Sequence, residues 1–388
     1  MKNDPIRKTL CAVSLVLFCA LISAGCARKA EQIPVSGTSQ ALAQQASPAE
    51  ASAAELIVND DIDETKPAAP AEKREVVDGK IRSILTGEWI DAEKGQLRPL
   101  AIMMSNDKQA LPQYGINRAG VVYEAPVEGV MVRYMALFDD WQDLERIGSV
   151  RSCRTYYTYF AREWDAIYAH YGQSTFALPY LEGMDNLNGI SGKGSAAYYR
   201  SSDKKSPHNA YASGDRISKA IESCGYRTEL EDTTAWHFNF CAVGDEVQLE
   251  NSIEASKIVP GYTYNEPWFE YDEKDGLYHR YQYGGVHEGN EGSITVKNVI
   301  FEYRPTGNYA TTQYLNIDLS GETYGYFFTN GRGYPLRIVK DGEYGITHFY
   351  NMEGDEVTFN NGKTWICIQR SDRFSYTEIY GKDGARTN

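Results

Sequence analysis

Between Phe18 and Trp89 the chain carries no aromatic residue, although Phe, Trp and Tyr make up 12% of its 388 residues and Tyr alone occurs 29 times. Aromatic side chains supply the largest single burials in a core. A long stretch without them cannot bury enough apolar surface to offset the entropy of ordering it. The part that folds is therefore shorter than the chain and starts near Val77–Ile84. At about 150 residues per domain, what remains suits two domains.

The aromatic-free stretch has two textures. Lys2, Arg7 and Lys8 precede an apolar run from Leu10 to Ala24. That run falls short of the roughly 20 residues a bilayer span needs, but it suits a secretory signal. It ends Leu21-Ile22-Ser23-Ala24-Gly25-Cys26, which resembles the bacterial lipobox, with Ser23 where Leu is commonest. The resemblance implies a diacylated Cys26 as the mature amino terminus, and an extracytoplasmic protein anchored to the bacterial membrane by that lipid. Residues 27–78 are rich in Ala, Glu, Ser, Pro and Gln and read as a disordered tether, with a reach of roughly 40 Å as a flexible coil.

Charge narrows the partners. The formal charge is −14. Residues 1–25 carry three bases and one acid, so their removal leaves −16. An acidic chain does not suit nucleic acid, whose phosphates need a basic face. It is also repelled by anionic headgroups, so the lipid must hold it at the membrane. Of the seven cysteines, Cys11 and Cys19 leave with the signal. Cys153, Cys224, Cys241 and Cys367 remain, with three possible pairings; export permits disulfides.

The expected organisation is a signal at 1–25, a tether at 26–78, a mixed α/β domain at 79–245 and a mainly antiparallel β domain at 246–388. In the first domain, Leu100 to Met104, Val121 to Tyr123, Val130 to Phe138 and Ala166 to His170 read as strands. Ser152 to Trp164, Thr175 to Met184 and Ser213 to Cys224 read as helices, the last stopped by Gly225. Beyond Gly244 short strand patterns follow one another. Asp275-Gly276, Asn330-Gly331, Asp341-Gly342 and Asn361-Gly362 punctuate them as hairpin turns.

Four places could carry chemistry. In Gly148-Ser149-Val150-Arg151-Ser152-Cys153-Arg154, a helix capped by Ser152 and flanked by Arg151 and Arg154 would bind an anion. The same field would lower the Cys153 thiol. Around a strand turn, Glu124, Glu128 and Arg133 could brace a hairpin, do acid–base work or hold a divalent cation. His170 ends an apolar strand, where α/β sheets place ligands. His208 and Asn209 occupy a polar loop. No standard enzyme signature and no metal-type spacing completes, so no cofactor is identified.

Several segments resemble the YerB-type bacterial lipoproteins, a family of uncharacterised domains. They are Pro99 to Met103, Val122 to Gly129, Ile147 to Arg154, Asp165 to His170 and Pro207 to Tyr211, then Tyr278 to Tyr281, Val296 to Ile300 and Gly362 to Ile366. The resemblance covers about 300 residues and implies an anchored envelope protein with two domains in this order. It implies no reaction. Arg151 and Arg154 match the family pattern, whereas Cys153 stands where Ala is frequent. Glu124, Glu128, Arg133, Arg151 and Arg154 are also similar in type and order to the acidic and Arg residues of the LytR-CpsA-Psr cell-wall ligases, without a diagnostic motif. Two functions follow as expectations. One is a non-catalytic lipoprotein that binds an anionic envelope ligand or a cell-wall or envelope protein partner. The other is a metal-assisted phosphate-ester or glycopolymer-transfer enzyme.

Overall fold

The run Leu100–Ser105 forms a strand in which every residue is buried. Successive side chains of a strand point to opposite faces, so a strand with no exposed position must be covered on both. Ala101 and Met103 join one apolar cluster. Leu100, Ile102 and Met104 join another. A sheet with two covered faces organises the molecule.

The computed structural model describes residues 74–231 and 237–388. The expected signal at 1–25, the lipidation site Cys26 and most of the expected tether lie outside the described residues. The packed part begins slightly before the expected boundary: Arg74 is buried and donates from Nη1 to Arg82 O at 2.8 Å.

Eleven strands make the large sheet. They are β1 (Leu100–Ser105), β2 (Val121–Pro126), β3 (Val132–Phe138), β4 (Ile167–His170), β5 (Asn186–Asn188), β6 (Ile253–Glu254), β7 (Asn298–Arg304), β8 (Gly321–Thr329), β9 (Arg332–Lys340), β10 (Thr347–Tyr350) and β11 (Thr364–Arg370). Their order is β6-β9-β8-β7-β11-β2-β3-β1-β4-β5, with β10 on β9. The N-terminal half is mixed α/β and the C-terminal half mostly β, as the sequence textures imply. Hydrogen bonding nevertheless runs across residue 245. β11 lies between β7 and β2 and is parallel to both, pairing Trp365 with Val299 and with Val122.

Helix α1 (Thr155–Glu163) covers one face. Tyr123 and Phe160 stack there at 4.2 Å between ring centroids. Burying each such side chain contributes about 1.5–3 kcal/mol. The helix is shorter than expected, and Ser152 is not its cap. Arg154 stands at that position without a side-chain capping bond. The Ser152 hydroxyl instead donates to Tyr171 O at 3.0 Å. Buried hydroxyls of α1 tie it to the sheet, Tyr156 to Pro126 O at 2.5 Å and Tyr157 to Arg133 O at 2.7 Å.

The other face carries helix α2 (Gly214–Cys224) and a second, antiparallel sheet. Ser213 caps α2, and Gly225 ends it with a left-handed φ of 72°. The expected helix at Thr175 to Met184 is two short turns, Thr175–Ala177 and Leu178–Leu181. Pro179, near the start, tolerates no longer run before it. The second sheet packs Ile258, Phe269, Tyr278 and Ile379 against the Trp365 side of the large one. Among the described residues, no helix is long and apolar enough to cross a membrane.

Candidate functional site

β1, β2, β4, β5, β7 and β11 point the same way. Sheets of this kind hold ligands beyond the carboxyl ends of such strands. At that end β1 runs out into Ser105, Asn106 and Asp107, and β2 turns into β3. The turn is closed by Val127 N donating to Met131 O at 2.8 Å, with Gly129 at φ 69°. Arg133 of β3 is the register partner of Ser105. Beside β1, Arg151 N donates to Met103 O at 3.1 Å, which fixes Arg151 at the same end.

These segments enclose a cavity of about 180 Å³. Arg133, Arg151 and His208 supply its basic groups. Ser105, Asn106 and Asp107 supply its other polar groups. Val127, Met131 and Val132 give it an apolar surface, and Tyr264 reaches in from the C-terminal half.

Its electrostatics are lopsided. Arg133 is only 7% exposed, yet its Nη1 donates to a carbonyl, Ser152 O, at 2.7 Å. Half-buried Arg151 has Nη1 3.2 Å from His208 Nδ1. Neither guanidinium has a carboxylate within ion-pair distance among the described residues. Burial, then the Arg154 and Arg151 charges, pull Arg133 down to about 10. Burial and Arg154 lower Arg151 as well. Burial lowers His208, with Arg151 and Lys204 acting in the same sense and Asp107 against it. A neutral His208 can accept from Arg151 at Nδ1. Its Nε2 then faces Asp107 Oδ1 at 3.7 Å. An anion between the two guanidiniums would relieve their repulsion and satisfy free N–H donors.

The other expected site residues lie elsewhere. Arg154 is not available to a ligand: it grips Glu128 with two bonds, Nη2 to Oε2 at 2.7 Å and Nε to Oε1. Glu124 is fully buried in the core. It accepts from Arg280 Nη2 at 2.8 Å, Trp365 Nε1 at 2.9 Å and Asn265 Nδ2 at 3.0 Å. His170 is also buried at the end of β4, with Nδ1 donating to Gly172 O at 2.8 Å and Nε2 3.1 Å from Asn186 Oδ1. Asn209 accepts from Arg200 Nη1 at 2.6 Å and braces its own loop. Cys153 is buried, and burial raises its thiol to about 12, the reverse of an activated nucleophile. Cys153, Cys224, Cys241 and Cys367 are all free thiols. Among the described residues, Asp272, Asp275 and His279 come together at a hairpin turn. Both carboxylates already cap turn N–H groups, and that of Asp275 pairs with His279.

Sequence reading thus found Arg133, Arg151 and His208 but missed Ser105, Asn106, Asp107 and Tyr264. A polar triplet directly after a buried apolar strand is a readable signal for the first three. Tyr264 gives none, because only the fold brings it there.

One shared sheet with a basic cavity at its strand ends defines a two-part protein. Two family descriptions match its parts: "Protein of unknown function (DUF3048) N-terminal domain" over residues 85–227, and the corresponding C-terminal domain over residues 258–366. The chain belongs to this family. It is 29% identical over 307 residues to "Putative lipoprotein YerB" of Bacillus subtilis (strain 168), covering 74% of this chain and 86% of that protein. The crystal structure of the YerB protein from Bacillus subtilis superposes with a TM-score of 0.67 at 27% identity. That match covers 77% of this chain and 99% of the other.

Proposed function

We propose that this protein is a lipid-anchored extracytoplasmic binding protein whose basic cavity takes an oxyanion, phosphate or carboxylate in kind. The observation that carries the reading is Arg133. A guanidinium more than nine-tenths buried, with no carboxylate partner among the described residues, is costly unless a ligand supplies the charge. Arg151 beside it adds a second fork. The anchor rests on the Cys26 signal and on the Bacillus subtilis relative's own designation as a lipoprotein.

The alternative, a metal-assisted transfer enzyme, needs a free carboxylate beside the arginines. Glu124 and Glu128 were the expected ones, and both are spent on Arg280 and Arg154. Asp107, the carboxylate that does line the cavity, accepts from Gln109 N at 2.8 Å and from the Tyr264 hydroxyl at 3.4 Å and faces His208, so it is engaged too, which favours binding over catalysis.

The test is calorimetric titration of the full chain, held in phosphatidylcholine nanodiscs, with inorganic phosphate and sulfate. Wild type should bind, and Arg151→Ala should weaken binding by roughly tenfold or more, since a charge-assisted bond contributes about 1.5–3 kcal/mol. Arg151 is half-buried, so the variant keeps the fold. Absence of binding in wild type, or equal binding by the variant, refutes the reading.

A further inference from the structure

The cavity is not lined as a site for a free ion would be. Val132, 3% exposed, shows only an edge to it, and Val127, 0% exposed, backs the lining from beneath. Met131 also lines it and is 37% exposed, and Val130, next in the chain, is 57% exposed. Turns between strands usually carry Gly, Asn, Asp or Ser. This one, Val127-Glu128-Gly129-Val130-Met131-Val132, keeps four apolar residues beside two guanidiniums that have no carboxylate partner among the described residues. A bare phosphate would lose hydration wherever it met these side chains and gain no donor in return. The space of about 180 Å³ is also well beyond one water, which occupies roughly 30 Å³.

We propose that the ligand is an amphiphilic oxyanion: a phosphate or carboxylate head between Arg133 and Arg151, with an aliphatic chain laid along Met131 and the edge of Val132, which Val127 backs from beneath. This deepens the anion-site reading and rests on it. An ester or acyl chain gives the ligand one ionic and one apolar side, matching the two linings of the cavity. The unbranched, adaptable Met131 suits a chain of variable length. The exposed pair Val130 and Met131 leads from the cavity toward solvent, where a longer chain would continue. Such a ligand could be a free amphiphile or a lipid in the bilayer.

The experiment titrates the full wild-type chain, in phosphatidylcholine nanodiscs, with inorganic phosphate and with methyl, butyl and hexyl phosphate. A fully buried methylene adds roughly fourfold in affinity, so partial burial should still give at least about tenfold between methyl and hexyl phosphate. Met131→Ser should flatten that rise, read as the ratio of hexyl to methyl phosphate affinity within each protein, and Arg151→Ala should weaken the whole series. Equal affinity for phosphate and hexyl phosphate overturns the amphiphile and leaves the anion site standing. No binding by any of the series overturns both. A rise that survives Met131→Ser also overturns the assigned chain path. A further arm places phosphatidic acid in the nanodiscs: loss of hexyl phosphate binding assigns a bilayer lipid, and unchanged binding assigns a free amphiphile.

Discussion

Replacing Arg280 by Met should destabilise the protein by about 3–5 kcal/mol, although Arg280 touches neither the cavity nor solvent. Arg280 is 0% exposed. Its Nη2 donates to Glu124 Oε2 at 2.8 Å, and its Nη1 lies 2.6 Å from His287 Nδ1. The guanidinium also sits 4.5 Å from the Trp365 ring centroid. Met fills much of the same volume, so the loss is electrostatic. Glu124 would keep three neutral donors, Trp365, Asn265 and the more distant Cys367 thiol, but no cation, in a site closed to water. An uncompensated buried carboxylate is the costly outcome. The double variant Glu124→Gln, Arg280→Met removes both charges and should recover most of the loss, giving a coupling of about 2–3 kcal/mol. Urea denaturation at pH 7, followed by tryptophan fluorescence, measures all four corners of the cycle. A single-variant cost below about 1 kcal/mol, or additive effects in the double variant, would refute the argument that this pair locks the N-terminal half to the C-terminal half.

Three further outcomes can be checked. Burial holds His170 below its ordinary value, and burial with the Arg280 charge holds His287 well below. The unfolded chain therefore binds more protons below about pH 6.5, so stability is complete above about pH 7 and falls as pH drops, by up to about 1.4 kcal/mol per pH unit for each histidine; a flat denaturation midpoint from pH 7.5 to 5.5 would sink this. With its thiol raised to about 12 and buried, Cys153 should resist alkylation in the native protein at pH 8, while half-buried Cys224 reacts; mass spectrometry of labelled peptides reads this, and labelled native Cys153 contradicts it. Gly331→Ala should cost at least about 1 kcal/mol, because φ is 69° and the added Cβ would lie 2.5 Å from the Tyr271 ring; an unchanged urea midpoint would count against it.

Local patterns decided much of this chain. The Asn330-Gly331 turn places β8 against β9 in the register that pairs Thr329 with Arg332, because positive φ at both turn residues suits the strand twist. The unbroken apolar run at Leu100 required two covered faces. Ser213 and Gly225 bounded α2. Each signal acts over a few residues, which is why sequence carries it. Three features were settled only by tertiary structure. The insertion of β11 between β7 and β2 is a parallel pairing with no local turn to announce it. The role of Glu124 depends on Arg280, more than 150 residues away, and a glutamate in an apolar strand reads equally well as a site residue until its partner is known. The cavity gathers Arg133, Arg151, His208 and Tyr264 from separate segments of both halves. Residue types told where charge would matter; chain closure over long separations decided which charges were neutralised and which were left facing a cavity.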